Sequence, residues 1–145
     1  MQCGQSKAEE ILAASDRERR TSLRNWHDAA HLPIECAVER SKRIKIPNLP
    51  KLKSIVSADT RGLVISGIHM GDYLHALLPI LLALRGRKVL VCRQRSQTTE
   101  ESAIVKRLAT LGIDAKVIRT GRHHPLMLVR ELRRGGIVIT FHDLS

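Results

Sequence analysis

Short apolar runs alternate with longer segments of helical spacing over most of the chain from residue 62 onward. Apolar runs bounded by turn residues predict buried strands, and apolar residues that recur with a period of about 3.6 predict helices. The run over 63–66 leads through a short polar turn into an apolar helix that ends at Gly86. Beyond that helix the pattern predicts strands over 88–92, 115–118 and 137–141 and helices over 99–111 and 125–134.

This alternation of strands and helices predicts an α/β fold with a mostly parallel sheet and flanking helices. Gly112 and Gly135 stand where helix C-terminal glycines belong, and basic residues occupy the turns before them. In open parallel sheets, ligands bind beyond the carboxyl ends of the strands. The turn that follows the first strand, over 67–72, is therefore the first candidate for a site.

The N-terminal part of the chain has a different pattern. Charged residues surround a thin apolar stripe over 6–24, which predicts a helix with a solvated charged face. A second helix is predicted over 28–42, with Pro33 near its start or kinking it, and a short third helix over 52–58. We expect this part of the chain to form a helical N-terminal segment.

Two prolines, Pro47 and Pro50, separate the helical segment from the alternating one. We expect residues 1–50 to pack on the sheet as a helical hairpin, since they contain too few apolar residues for an independent domain. Residues 51–145 are expected to form the α/β core. No helix is predicted after the last strand to cover the sheet there, so we expect this core to be incomplete at its C-terminus.

The chain is strongly basic. Its 145 residues include 25 Lys and Arg against 14 Asp and Glu, a formal charge of +11 with neutral histidines. Such a charge favours an acidic partner: an anionic membrane, an acidic protein or a phosphate group. Only 2% of the residues are aromatic, and single-stranded nucleic acids are usually bound by stacking on aromatic rings. We therefore expect no nucleic-acid partner.

His69 is the first candidate catalytic residue. It lies in the turn after the first strand, three residues before Asp72. A carboxylate can orient one imidazole nitrogen and leave the other to accept a proton from a hydroxyl, as in acyl transfer. The structural alternative is that Asp72 caps the following helix and that His69 only fills the turn.

No metal site is predicted. The three cysteines are far apart and form no C-x-x-C motif. In the H-x-x-D-x-x-H pattern that begins at His69, a helix would place His75 about 120° away from His69, given about 100° per residue. The two imidazoles would then face different directions.

Arginines follow two successive strands of the predicted sheet. Arg93 and Arg95 come after the second strand, and Arg119 and Arg122 come after the third. Guanidinium groups at one sheet edge could form a cationic rim that binds phosphate, and the alternative is a set of solvated loops. Asp143, after the fourth strand, either orients one of these arginines or simply ends the strand.

Three blocks of the chain together resemble the bacterial lipid A biosynthesis acyltransferase family, within the lysophospholipid acyltransferase superfamily. The blocks are GLVISGIHMGDYL, KVLVCRQRSQ and GRHHPLMLVRELRRGGIVITFHDLS. That family is similar in each block: a strand leading to a His in an H-x-G-x-[aromatic]-E context, a strand ending in an Arg-containing loop, and a basic helix, Gly, strand and Asp. The resemblance extends from about residue 20 to the end of the sequence.

The resemblance implies a catalytic role for His69, as the base that deprotonates an acceptor hydroxyl so that it attacks an acyl thioester. It implies substrate-binding roles for Arg93, Arg122 and Asp143. The family has an acidic residue five positions after the His, where this chain has Leu74, so Asp72 is the carboxylate left to orient His69. No cofactor is implied beyond the donor thioester.

The resemblance also implies partners and a location. The donor is acyl carrier protein or acyl-CoA, the acceptor is a sugar or glycolipid hydroxyl, and the protein is expected in the cytoplasm, peripheral to an anionic inner membrane. The chain is shorter than members of that family and has no apolar N-terminal helix, which predicts a divergent, truncated member whose activity stays open. The alternatives are a heptosyltransferase-like glycosyltransferase, suggested by GDYLHALLPILLALR, and a non-catalytic basic fragment that binds a membrane or a protein.

Overall fold

A computed structural model describes residues 3–67, 73–93, 98–119 and 124–141. Within these ranges, four parallel strands form one sheet in the order β1–β4–β2–β3. The strands are β1 (Leu63–Gly67), β2 (Val89–Arg93), β3 (Ala115–Arg119) and β4 (Ile137–Phe141). The predicted α/β class with a parallel sheet is confirmed, and the ends of all four strands lie within one residue of their predicted positions.

The strands are in register, so their carboxyl ends lie along one edge of the sheet. At the start of the strands, Leu63 and Val89 both pair with Ile137 of the central strand β4. At the other end, Gly67 pairs with Phe141, and Arg93 pairs with Arg119. The candidate site residues predicted from the sequence are those at, or just after, the strand ends at this edge.

Helices flank the sheet, as predicted, and they lie on both of its faces. One face carries α4 (Tyr73–Ala83) and α5 (Thr99–Thr110), and the other carries α6 (His124–Arg133). The main core lies on the first face and contains fully buried residues such as Leu84, Val89 and Ile137. A smaller cluster lies on the second face, where Leu128 and Leu132 of α6 pack against buried strand residues: Leu90, Cys92, Ile118 and Val138.

Three helices precede the sheet: α1 (Cys3–His31), α2 (Ile34–Ser41) and α3 (Leu49–Ala58). Of these, α1 packs against α5, while α2 and α3 pack against α4. The packing adds buried alanines of α1 and α2, Ala29, Ala30 and Ala37, to the main core. The division of the chain at residue 50 stays a prediction.

The predicted boundary between the first two helices is wrong. Residues 25–27 belong to α1, which continues to His31, and the break falls at Pro33 instead of before residue 28. Nothing in 25–27 interrupts a helix, whereas Pro33 has no N–H to donate and its ring obstructs the preceding turn. Its backbone is extended, with φ −51° and ψ 137°, and it precedes the first residue of α2.

At the amino edge of the sheet, Arg87 fastens three segments together. Its guanidinium donates hydrogen bonds to the carbonyl oxygen of Gly135 at 2.8 Å and of Asp59 at 3.2 Å, and also to that of Arg61. The turn before β2 is thereby tied to the segments that precede β1 and β4. The candidate site residues follow the strand ends at the opposite, carboxyl edge.

Candidate functional site

An apolar pocket lies between one face of the sheet and the helices that cover it. Its walls come from α1, α2, α4 and α5 and from the sheet face that carries Val91 and Val117. Arg93 and Phe141, the last residues of β2 and β4, place one end of the pocket at the carboxyl edge. The pocket has a volume of about 80 Å³. Since about 10–15 Å³ is enough to hold one water molecule, there is room for several methylene-sized groups.

The lining of this pocket is apolar except at three side chains. Leucine, valine, isoleucine and alanine residues form most of the wall, together with Trp26 and Phe141, and the polar exceptions are His75, Arg93 and Glu101. A wall of this kind favours an apolar ligand, because burying alkyl surface contributes about 25 cal/mol per Å². The few polar groups would fix the orientation of such a ligand.

Arg93 forms an ion pair with Glu101. The glutamate is 3% exposed, whereas the arginine side chain is 30% exposed. A buried carboxylate needs a charged or hydrogen-bonding partner to offset its lost hydration. The pair therefore holds the Arg93 guanidinium against the start of α5, at the point where β2 leaves the sheet.

Glu101 is fixed by a second set of contacts. It forms a capping box with Thr98: the Thr98 hydroxyl accepts a hydrogen bond from the Glu101 N–H at 3.2 Å, and the Glu101 carboxylate accepts one from the Thr98 N–H at 2.9 Å. Our sequence interpretation missed this residue. The spacing Thr98-x-x-Glu101 before a helix is itself a capping-box signal and would have located it.

Arg119 lies beside Arg93 at the carboxyl edge. The two are register partners on neighbouring parallel strands, and the same face of β2 and β3 carries both. Arg119 is exposed, so its guanidinium is accessible to a ligand. The predicted grouping of arginines at this edge is confirmed for this pair, while Arg95 and Arg122 lie outside the described residues.

Other predicted site residues also fall outside the described ranges. His69 and Asp72 belong to the segment that joins the carboxyl end of β1 to α4, and Asp143 follows the carboxyl end of β4. Arg122 belongs to the segment between β3 and α6. Their roles stay predictions.

His75 is a site residue that our sequence interpretation weighed only as a metal ligand. It lies in the first turn of α4 and is 1% exposed, and it lines the pocket together with Arg93 and Glu101. A buried imidazole in this position adds a third polar group to a wall that is apolar apart from Arg93 and Glu101. The sequence signal was weak, since a histidine within an apolar helix is compatible with many environments.

A second ion pair joins the two helices that contribute Trp26, Ala29 and Ala37 to the pocket wall. Arg40 of α2 donates a hydrogen bond to the Asp28 carboxylate of α1 at 2.9 Å. This hydrogen bond is the main reason that the pKa of Asp28 is below its usual value. The contact joins the two helices beside a small cleft that shares Ala29, Ala37 and His75 with the pocket.

The described ranges contain no group of three or more His, Cys, Asp and Glu residues placed to hold a metal ion. In the same ranges, no helix has both the length and the apolar character needed to cross a bilayer. The Cys92 thiol is buried on the other face of the sheet, and this burial raises its pKa. A reactive thiolate is therefore not favoured there.

No protein-family model matches the chain, and no curated protein sequence matches it significantly. The α/β fold alone does not define an activity, because folds of this class serve many unrelated chemistries.

Proposed function

We propose that this chain is an acyltransferase-like domain that transfers a fatty acyl group from a thioester to a hydroxyl of a sugar or glycolipid. The observation that carries the proposal is the apolar pocket that reaches the carboxyl edge of the sheet beside Arg93. An acyl chain fits an apolar pocket, and the polar end of the donor would lie at the edge where the candidate catalytic turn leaves β1.

The arginine pair supports a donor that carries phosphate. Acyl carrier protein and coenzyme A both present the thioester at the end of a phosphate-bearing arm, and guanidinium groups bind phosphate through paired hydrogen bonds. Arg93 and Arg119 lie side by side at the edge of the sheet. Glu101 holds Arg93 in place, so Arg119 is the more accessible group for the phosphate.

His69 is proposed as the general base and Asp72 as the carboxylate that orients it. The imidazole takes the proton of the acceptor hydroxyl while the oxygen attacks the thioester carbonyl. A carbon–oxygen bond forms, the carbon–sulfur bond breaks, and the departing thiolate takes the proton from the imidazolium. In this proposal Arg122 and Asp143, which follow β3 and β4 in the chain, bind the substrates.

We place the protein in the cytoplasm at the surface of the inner membrane. The support is the charge of +11, which suits an anionic lipid surface as well as an acidic carrier protein. A non-catalytic role in binding single-chain amphiphiles is the second candidate. It is favoured by Leu74, which stands where the resembling family has an acidic residue.

The proposal is tested by acyl transfer assays with acyl-CoA and acyl carrier protein donors and glycolipid acceptors. Turnover is expected for the native chain and is expected to fall at least about a hundredfold in His69→Ala, the usual scale for a lost general base. His27→Ala is the matched control, because His27 lies on α1 and its side chain is 71% exposed.

Equal turnover in native protein and His69→Ala would contradict the proposed mechanism. Binding of acyl-CoA without any turnover would favour the non-catalytic role. Binding of a nucleotide sugar in place of a thioester would favour the heptosyltransferase-like alternative.

A further inference from the structure

Two histidines lie one helical turn apart near the C-terminal end of α1. His27 and His31 have an i, i+4 spacing, and their ring centroids are 4.5 Å apart with an angle of 42° between the ring planes. Both side chains are at the surface, and the His27 side chain is 71% exposed. Side chains with this spacing lie on the same face of a helix.

We propose that His27 and His31 together bind one divalent transition-metal ion, such as Cu²⁺ or Zn²⁺, with water completing its coordination. An imidazole nitrogen lies about 2.0–2.1 Å from zinc, which puts the ring centroid about 3.2 Å from the ion. Two such ligands at 90–110° have centroids about 4.5–5.2 Å apart. The 4.5 Å between these ring centroids lies at the lower end of that range, so the two rings are close enough to share one ion.

Two carboxylates make this surface more favourable for a cation. Asp28 Oδ1 lies 3.9 Å from Nδ1 of His27. At this distance the carboxylate is too far from the ring for a hydrogen bond, so it favours a bound cation through its charge. Glu100 of α5 lies close enough for its charge to interact with both imidazoles. The C-terminal end of α1 adds a partial negative charge.

Positive groups also lie near the two histidines. Arg40 is paired with Asp28, and Arg107 donates a hydrogen bond to the carbonyl oxygen of Leu32. Arg24 also lies close enough to lower the pKa of Asp28. These cations reduce the attraction for a metal ion but do not occupy the imidazole nitrogens.

The ligand type selects the metal. Imidazole suits Cu²⁺, Ni²⁺ and Zn²⁺, whereas Mg²⁺ and Ca²⁺ prefer oxygen ligands. Because only two protein ligands are offered, the ion keeps open positions and exchanges readily. Each ring must offer an unprotonated nitrogen to bind the ion.

The test is a titration of the full chain with CuCl₂ and ZnCl₂ at pH 7.5, followed by calorimetry and, for copper, by electron paramagnetic resonance. One ion per chain is expected, with two nitrogen ligands in the copper spectrum. His27→Ala and His31→Ala should each weaken binding by about tenfold to a hundredfold or more, the range seen even for lost outer partners. MgCl₂ should not bind at this site.

The double variant His123→Ala/His124→Ala is the matched control and should bind like the native chain. His31→Gln is a second variant that tests whether His31 binds the ion. Circular dichroism should show the native helix content in every variant. The proposal is overturned if no saturable binding occurs, if only one of the two α1 variants loses affinity, or if the control variant loses it instead.

Discussion

The guanidinium of Arg93, at the end of β2, is ion-paired with the buried carboxylate of Glu101, in the first turn of α5. The pair joins a strand to the helix that follows it and sets the position of the one cationic side chain that lines the pocket among the described residues. Because the carboxylate is almost inaccessible to solvent, its charge depends on that partner. Glu101 therefore contributes both to the stability of the fold and to the geometry of the site.

Removing the charge of Glu101 should destabilise the protein. Glu101→Gln keeps a side chain that can complete the capping box but loses the ion pair, and we expect a loss of about 1–3 kcal/mol in the free energy of unfolding. Glu101→Ala should cost more, because the cap contributes roughly another 0.5–2 kcal/mol. Urea denaturation measures both. Equal stability of Glu101→Gln and the native chain would show that the ion pair contributes nothing.

The fluorescence of the single tryptophan should report on ligand binding in the pocket. Trp26 is the only tryptophan in the sequence and lines the pocket wall. A long-chain acyl ligand that enters the pocket should displace water near the indole and shift its emission to shorter wavelength. Ala37→Leu, which adds bulk to a 7% exposed wall position, should weaken this response. An unchanged response in Ala37→Leu would place the ligand elsewhere.

Much of the architecture could be predicted because its signals are local. Gly86, Gly112 and Gly135 have φ values of +89°, +73° and +82° and separate the strands from the preceding helices. Pro33 was a local signal too, but we gave it too little weight and placed the helix boundary at residues 25–27, which do not interrupt a helix. The strand order β1–β4–β2–β3 was not predictable in this way, because it depends on contacts between distant segments.

The candidate site shows the same division between local and long-range information. The sequence predicted arginines at the strand ends because it predicted where the strands end. The pocket was not predictable, since Trp26, Val117 and Phe141 come together only after α1 packs against the helices that cover the sheet. The capping box at Thr98 was readable, whereas the contact of Glu101 with Arg93 required the relative placement of a strand and a helix.

Two glycines with similar backbone conformations should respond differently to alanine. Gly135 has φ +82°, and an added Cβ would lie 2.4 Å from the Thr60 carbonyl oxygen, whereas Gly86 has φ +89° and open space around it. Gly86→Ala should cost about 1–2 kcal/mol from backbone strain alone. Gly135→Ala should cost clearly more, because the backbone of the neighbouring segment must also move. Comparable unfolding midpoints for the two variants would contradict this packing.

The stability of the fold should fall in acid partly through Asp59. A side-chain hydrogen bond from Arg61, together with a backbone hydrogen bond from the same residue, lowers the pKa of this carboxyl to about 2. A lowered folded-state pKa means that the stabilisation is present above the unfolded value of about 3.9 and is lost as the pH falls toward 2.

Urea midpoints measured from pH 5 to pH 2 should therefore decline less steeply in Asp59→Asn than in the native chain. The difference should shrink in 1 M salt, since the Arg61 side chain is 88% exposed and its charge is screened. Parallel declines for the two proteins at low salt would rule out this ion pair as a source of acid sensitivity.

Charge reversal at the sheet edge should distinguish a specific phosphate contact from attraction by the overall positive charge. Arg119 lies beside Arg93 on the pocket face of β3, while Lys116 is exposed on the opposite face of the same strand. Arg119→Glu should weaken binding of coenzyme A by about tenfold or more, because a charge-assisted contact to phosphate is replaced by repulsion. Lys116→Glu changes the net charge equally but leaves the pocket edge intact, and it should bind coenzyme A nearly as the native chain does. Calorimetry on both variants decides the matter, because equal losses would indicate attraction by the overall charge and not a phosphate contact at Arg119.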